Sequence, residues 1–327
     1  MIRILSSLVL FGLALPGAIA QAPVRVEDPL IVRKDPIPPI VRLAVRQSRD
    51  LKFVGRRSVE LRRDGKMLRF TEIVTRLGQR TRTEFSEDSP FSGQIIVEDA
   101  QNRRHFLPDS NEVRVLPARA EDGVPGIIKA YKSGTKMSFR MGRPELIAGR
   151  RAPRLDVRDP DGNVLQQFWI DPQSGAVLQR KVYDSVGTYV GGFRFESVDF
   201  KAAIDPGIFI LMRKGAKLTT PETTLDEMIQ QGGFAAVTLK GAPGFRLDNV
   251  RVISPVGAPV LLQAYVGSGR RVILFQTKAD LDPERMKRFA RAGTRTVVWT
   301  AQGRNFALVG PSKGTDLESL AEYAKKR

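Results

Sequence analysis

The sequence predicts an α+β fold, mostly antiparallel, arranged as two domains. Residues 155–200 mix apolar and polar side chains with a period of two, which is the pattern of half-buried strands. Groups rich in Asp, Pro and Gly interrupt this pattern, and such groups suit the tight turns of antiparallel hairpins. Strand patterns and helix-capping signals resume after residue 221, and a chain of 327 residues has room for a second domain there.

The first residues have the features of an export signal. Residues 1–20 contain Arg3, an apolar run from Leu8 to Leu15, and the small residues Ala18 and Ala20 that suit cleavage after Ala20. The alternative is a membrane anchor, but a spanning helix needs about 20 apolar residues and this run is shorter. We therefore expect a signal peptide at 1–20 and a mature protein that is soluble outside the cytoplasm. Residues 21–39 follow as a Pro-rich linker.

The first domain is predicted to cover residues 40–217. The apolar residues Ile40, Leu43, Ala44 and Leu51 fall near one face of a short amphipathic helix. Strand patterns follow at 52–62, 68–77, 79–85, 94–99, 103–107, 112–116 and, after a helical or irregular segment at 124–131, at 136–141. These strands lead into the central stretch.

The central stretch forms the core of this domain. Its strands are predicted at 155–157, 164–170, 176–183 and 189–200. The turns between them, at 159–163, 171–175 and 184–187, each begin with Asp and contain Gly at or near the end. Asp bonds to its own backbone and Gly takes positive φ, so each turn can reverse the chain tightly.

The second domain is predicted to cover residues 221–327. Thr224 and Glu227 form a capping-box pattern at the start of a helix, and Thr315 and Glu318 form another near the end of the chain. A further helix is expected from Asp282 to Gly293. The strands are predicted at 235–239, 245–254, 259–266, 270–277, 295–300 and 304–310.

Catalytic and metal-binding constellations are missing from the sequence. It contains no cysteine, which excludes disulfides, thiol nucleophiles and Cys-ligated metals. His105 is the only histidine, and no nucleophile motif accompanies it. Asp159, Asp161 and Asn163 lack the glycine position and the glutamate of a calcium loop, so a hairpin turn is the favoured interpretation. The sequence therefore predicts a protein that is not an enzyme and uses no cofactor or metal.

The chain is strongly basic. It has 53 Lys and Arg against 35 Asp and Glu, a formal charge of +18, and the basic pairs are spread along its length. In an intracellular protein this charge would favour nucleic acid. For an exported protein we expect no nucleic acid, and the charge favours phosphorylated glycolipids or an anionic membrane surface. The alternative is that the charge mainly keeps the protein soluble.

Several short motifs, taken in order, resemble those of a known family. They are Phe53-Val54-Gly55, Phe106-Leu107-Pro108-Asp109, the segment 147–150, and the run 168–187 with its following strand 193–200. In this order they resemble the periplasmic regulators of the envelope-stress sigma factor, the RseB/MucB type. Pro243-Gly244-Phe245 resembles the strand that opens the second domain of those regulators. The resemblance covers the chain from about residue 40 to its end.

This resemblance implies a fold and a location. The lipoprotein carriers of the LolA/LolB type share the first domain, so residues 40–217 would form a LolA-like curved antiparallel half-barrel with covering helices. A smaller α+β domain would follow it. The resemblance also implies that the protein is periplasmic.

The resemblance further implies a sensor that binds lipid or lipoprotein and regulates a membrane-bound anti-sigma factor in the envelope stress response. The alternative is a carrier of lipoprotein or lipid across the periplasm, although carriers lack the second domain. The expected ligands are acyl chains of a lipoprotein or glycolipid. The residues expected to line the hydrophobic cavity are Leu155, Val157, Phe168, Ile170, Val182, Phe193 and Phe195. Each could also be an ordinary core residue, and a register slip of one residue would invert the face.

Overall fold

The computed structural model describes residues 37–63, 65–118, 123–184, 186–235, 237–253, 259–267, 270–278, 294–312 and 315–326. The predicted signal peptide, the linker up to residue 36 and the predicted helix at 282–293 lie outside these residues. The chain divides into two compact units, one made of residues 1–100 and 121–210, the other of residues 101–120 and 211–327.

The first unit combines two short helices with one antiparallel sheet. The helices are α1 (Pro39–Gln47) and α2 (Gly123–Lys132). The strands before α2 are β1 (Lys52–Arg63), β2 (Lys66–Leu77), β3 (Arg80–Phe85) and β4 (Ile95–Glu98). After β5 (Asn102–Leu107) and β6 (Glu112–Pro117) of the second unit come β7 (Ser138–Ile147), β8 (Arg150–Arg158), β9 (Val164–Ile170), β10 (Val177–Tyr183) and β11 (Tyr189–Asp199).

Within the first unit the strand order is β4-β3-β2-β1-β11-β10-β9-β8-β7. Each strand pairs antiparallel with its neighbour, and β1 lies between β2 and β11. At one end β7 pairs with β8 alone among the described strands, so the sheet is open and not a closed barrel.

The second unit contains a sheet of five strands in the order β13-β14-β15-β17-β16. Two helices, α3 (Pro221–Gly232) and α4 (Leu317–Lys325), contribute buried side chains to its core. Within the same unit the short strand β12 (Lys217–Thr219) pairs in parallel with β6. The strands of the five-stranded sheet are β13 (Arg246–Ile253), β14 (Val260–Gly267), β15 (Arg270–Thr277), β16 (Thr294–Ala301) and β17 (Arg304–Pro311). Both units combine helices with mostly antiparallel strands, which confirms the predicted α+β class.

Several local details differ from the sequence prediction. The N-cap of α3 is Thr220, not Thr224, and the N-cap of α4 is Asp316, not Thr315. No described residue of the predicted strand at 235–239 is in a strand. The units defined by contacts also differ from the boundaries drawn at 40–217 and 221–327, because residues 101–120 group with the second unit.

Candidate ligand-binding face

Strand pairing places all the predicted cavity residues on one face of the first unit's sheet. Leu155 pairs with Phe168, Phe168 with Arg180, and Arg180 with Phe193. Directly paired residues share a face, as do residues two apart in a strand. The register therefore puts the following residues together on what we call the apolar face: Leu155, Val157, Phe168, Ile170, Val182, Phe193 and Phe195.

The two helices α1 and α2, which we call the helical cover, lie over one part of the apolar face. Leu155, Val157, Phe168 and Ile170 are between 0% and 2% exposed there. They form one buried cluster with Val41 and Ala44 of α1 and with Val124 and Ile128 of α2. In this structure the helical cover therefore fills the space above these four residues, and a ligand could reach them only if the cover moved.

The other part of the apolar face lies on β10, β11 and β1. Phe195 is 3% exposed and meets the ring of Phe53 edge to face, with ring centroids 5.6 Å apart. Phe193 and Val182 are half-buried. The guanidinium of Arg57 lies 4.3 Å from the centroid of the Phe193 ring, within the range of a cation–π contact. This part of the face is thus lined by aromatic rings beneath a cation.

The turn between β9 and β10 packs against α1. Asp171 is 2% exposed, and its Oδ2 accepts hydrogen bonds from Arg150 Nη2 at 3.0 Å and from the backbone N–H of Ser174 at 2.9 Å. Burial by itself raises the pKa of Asp171, but the hydrogen bonds from Arg150 and Ser174 outweigh it and lower that pKa from its ordinary value. At the end of the turn, a Cβ on Gly175 would lie 3.2 Å from Ala44 Cα and Gln47 Cβ of α1. The turn therefore packs closely against α1 and helps to hold it in position.

A depression of about 630 Å³ is lined by Phe193 and Phe195 together with several polar residues. Lys181 and Glu60 both pair with Gly192, and Ser58 pairs with Arg194. Gly192 and Arg194 flank Phe193 in β11, and neighbours along a strand point to opposite faces, so these residues lie on the face opposite the apolar face. Their side chains add polar groups to a lining that also contains aromatic rings. The hydroxyl of Tyr189 donates to Glu60 Oε2 at 2.9 Å, and burial together with Glu60 raises the pKa of Tyr189, so the phenol stays protonated. Of the seven predicted cavity residues, only Phe193 and Phe195 line this depression.

The described residues contain no group of three or more His, Cys, Asp or Glu side chains that could hold a metal ion. His105, for which the sequence offers no nucleophile partner, lies in β5 of the second unit. In the same described part of the chain, no helix has the length and apolar content that crossing a membrane requires.

MucB is among the solved structures that this chain resembles. The MucA/MucB complex of Pseudomonas aeruginosa matches with a TM-score of 0.45 and 16% identity, covering 86% of this chain and 95% of that chain. MucB in complex with MucA(peri) matches with a TM-score of 0.44 and 18% identity, over 83% and 91% of the two chains. A LolA superfamily protein from Nitrosomonas europaea matches with a TM-score of 0.28 and 12% identity, over 52% and 97%. No protein-family model and no curated protein matches the sequence.

Sequence reasoning missed the polar residues on the apolar face. Arg57 forms an ion pair with Glu72, which is 5% exposed, and Arg180 lies 5.6 Å from the Phe168 ring centroid. Their registers with Phe195 and Phe168 put them on the same face. In the sequence Arg57 stands out only as part of a basic pair, although its even spacing from Phe53 is a signal for this face.

Proposed function

We propose that the protein is a non-catalytic periplasmic sensor that binds an acyl chain of a lipid, lipoprotein or glycolipid on the apolar face. The observation that carries this proposal is the arrangement of that face. Apolar side chains from neighbouring strands are aligned on it, and two short helices bury part of it. Each methylene of a bound chain contributes about 0.8 kcal/mol when it leaves water, so a face of this kind can bind by burial alone.

In this proposal the ligand replaces the helical cover. Buried apolar contacts hold α1 and α2 to the sheet, and α1 lacks a side-chain hydrogen bond at its N-cap. An acyl chain offers the face the same apolar contacts, so the exchange need not expose Leu155 or Phe168 to water. Displacement of α1 and α2 would then be the structural change that signals that a ligand is bound.

The second part of the proposal concerns the partner. The sequence motifs resemble regulators that act on a membrane-bound anti-sigma factor, and one of the similar MucB structures is a complex with MucA(peri). We propose a partner of this class, with the second unit taking part in its recognition. The alternative function is a carrier of lipoprotein or lipid, and the presence of the second unit favours the sensor.

Substitution on the uncovered part of the apolar face tests ligand binding. We expect Phe193→Asp to weaken the binding of a fluorescent palmitate probe roughly tenfold or more, because a carboxylate on this face must lose water or keep water beside the chain. The measurement is a fluorescence titration of the purified protein. Phe193 suits the test better than Phe168, which is 1% exposed beneath the helices, so that an Asp there would unfold the domain.

The matched control is Val186→Asp, which makes the same change in charge at a side chain that is 73% exposed in the turn between β10 and β11. It should bind the probe like the parent. Thermal melts restrict the comparison to variants with near-native stability. Equal affinity of a folded Phe193→Asp variant and the parent would mean that the face is only a core, and the acyl-chain proposal would then be abandoned.

A further inference from the structure

A second depression lies at the free end of the first unit's sheet and has a different chemistry. It has a volume of about 510 Å³ and is lined by residues 140–143 of β7 together with Arg154, Asp156 and Arg158 of β8. Register pairs Arg140 with Asp156 and Gly142 with Arg154, so the side chains of Arg140, Arg154, Asp156 and Arg158 share the face of the sheet opposite the apolar face. We call this set of residues the arginine groove.

Positive charge is in excess in the arginine groove. Its one acidic residue, Asp156, is 2% exposed and is already engaged by Arg154 Nε at 2.9 Å and by Arg158 Nη2 at 3.6 Å. Arg140 and Arg143 are exposed and form no ion pair within the described ranges. One carboxylate and four arginines therefore line the groove, so the groove can accept further negative charge.

Gly142 brings one of these charges towards the edge of the sheet. A Cβ at position 142 would lie 2.6 Å from Arg154 Nε and 2.9 Å from its Cζ. The missing side chain thus leaves room for the Arg154 guanidinium to lie across β7. Any larger residue would push this group away from the strand.

The edge of β7 is open where the groove lies. In the part of the chain that the structure describes, β7 pairs with β8 on one side and with no strand on the other. Pro144 has no N–H, and the carbonyl of Leu146 accepts from Arg194 Nη2 at 2.8 Å, which leaves residues 138–143 as the free stretch. An exposed edge of this kind is a template for another extended chain.

From these observations we infer that the β7 edge binds an extended acidic segment of a partner protein by strand addition. The partner backbone would pair with residues 138–143. Its side chains would alternate between the two faces, and acidic residues at every second position would lie beside Arg140 and the Arg154 guanidinium. The acyl-chain site proposed above lies on the apolar face, and the arginine groove lies on the opposite face. The strand-addition proposal therefore does not depend on acyl-chain binding.

Charge selects this occupant over two others. A second copy paired through β7 would bring Arg140 and Arg143 against the same basic residues, which is unfavourable for directly opposed like charges. The chain's own residues 21–36 carry three basic side chains (Arg25, Arg33, Lys34) and three acidic ones (Glu27, Asp28, Asp35), so they offer no net negative charge. An acidic partner segment satisfies both the edge and the guanidinium groups.

The test is fluorescence anisotropy with a labelled peptide that alternates Glu and Val. A second peptide of the same sequence carries N-methyl groups at alternate backbone positions, so it keeps the charge but cannot form the strand ladder. We expect the unmodified peptide to bind at least about tenfold more tightly than the methylated one, since the ladder bonds are lost in the latter. The double variant Arg140→Glu/Arg143→Glu should bind the unmodified peptide more weakly than the parent protein does, by a similar factor. Both substituted side chains are exposed, so the fold should be kept.

The control variant is Arg62→Glu/Lys66→Glu, which makes the same change in net charge at exposed positions on the hairpin of β1 and β2. It should bind the peptide like the parent. Equal binding of the two peptides would show a simple electrostatic patch and overturn strand addition. An equal loss of peptide affinity in the control variant would overturn strand addition as well. So would displacement of the peptide by inorganic phosphate at the peptide's own concentration.

Discussion

At the scale of single residues, Asp171 has the most consequences for the candidate face. It holds the turn that seats α1, and it accepts from Arg150 and Ser174 while almost fully buried. We expect Asp171→Ala to lower the free energy of unfolding by about 1–3 kcal/mol, because Arg150 and Ser174, which are both partly buried, lose the carboxylate that accepts from them. Urea denaturation at pH 7 measures this. Asp161→Ala, at an exposed side chain of the neighbouring turn, should stay within about 0.5 kcal/mol of the parent.

The same residue predicts a dependence on pH. The pKa of Asp171 is lower in the folded protein than in the unfolded chain, where an Asp has a pKa of about 3.9. Its contribution to stability is therefore complete above that unfolded pKa and disappears as the pH falls through the folded pKa. The difference between the parent and Asp171→Ala should narrow from pH 7 to pH 3. A difference that stayed constant over this range would assign the effect to packing and not to the carboxylate.

Sequence reasoning at this scale selected residues that share one face of the sheet, but it did not predict their surroundings. Period-two spacing correctly grouped Phe193 with Phe195, since residues two apart in a strand share a face. It did not predict that Arg57 and Glu72 lie on that face, because their positions there depend on the register between paired strands. That these residues bind a ligand stays a prediction.

At the scale of elements, the helical cover is the part whose motion the proposal requires. Gly175 has a φ of +73°, and α1 leaves no free space beside its Cα. Gly149 has the same φ of +73°, but a Cβ there would meet nothing within 4 Å. Substitution by Ala at the two sites therefore adds the same backbone strain, and only at Gly175 does it add a clash with α1.

We expect Gly175→Ala to loosen α1 and to increase the uptake of the palmitate probe relative to Gly149→Ala. Both variants should lose stability, since positive φ costs a non-glycine residue roughly 1–2 kcal/mol. The readouts are the probe's association rate and hydrogen exchange of the backbone amides of α1. Identical exchange and uptake in the two variants would show that α1 does not limit access to the face.

The helix starts illustrate which local signals decide between neighbouring candidates. Thr224 and Glu227 match a capping box, but Pro221 is well suited to the first position of a helix and makes Thr220 the N-cap. The side chains of Thr220 and Thr223 then bond to each other's backbone N–H groups. Asp316 is likewise the N-cap of α4, and its carboxylate accepts from the N–H of Ser319 at 3.0 Å. In both cases the capping residue is the one whose side chain reaches the N–H three residues later.

At the scale of the whole molecule, the second unit is built from two separate parts of the sequence. Residues 101–120 belong to it through the parallel pairing of β6 with β12, in which Val113 lies opposite Leu218. The N–H of Lys217 donates to the carbonyl of Asn111 at 2.9 Å, and Arg246 Nη2 donates to the carbonyl of Ala118 at 3.3 Å. Sequence patterns did not predict this, because they report local periodicity and not the pairing of segments that are about 100 residues apart.

This grouping leads to a prediction about cleavage in the connector. A protease recognition sequence inserted after Gly215 lies in an exposed turn, and its cleavage divides the chain between residues 215 and 216. The first fragment keeps residues 101–120, and these residues pair within the second unit. We therefore expect two bands on a denaturing gel but a single peak of full size on a native sizing column. The same insertion after Gly162, in a turn inside the first unit, provides a control for the effect of the insertion itself. Two separate native peaks after complete cleavage would mean that residues 101–120 do not hold the second unit, and that the boundary drawn from the sequence near residue 217 describes the domains better.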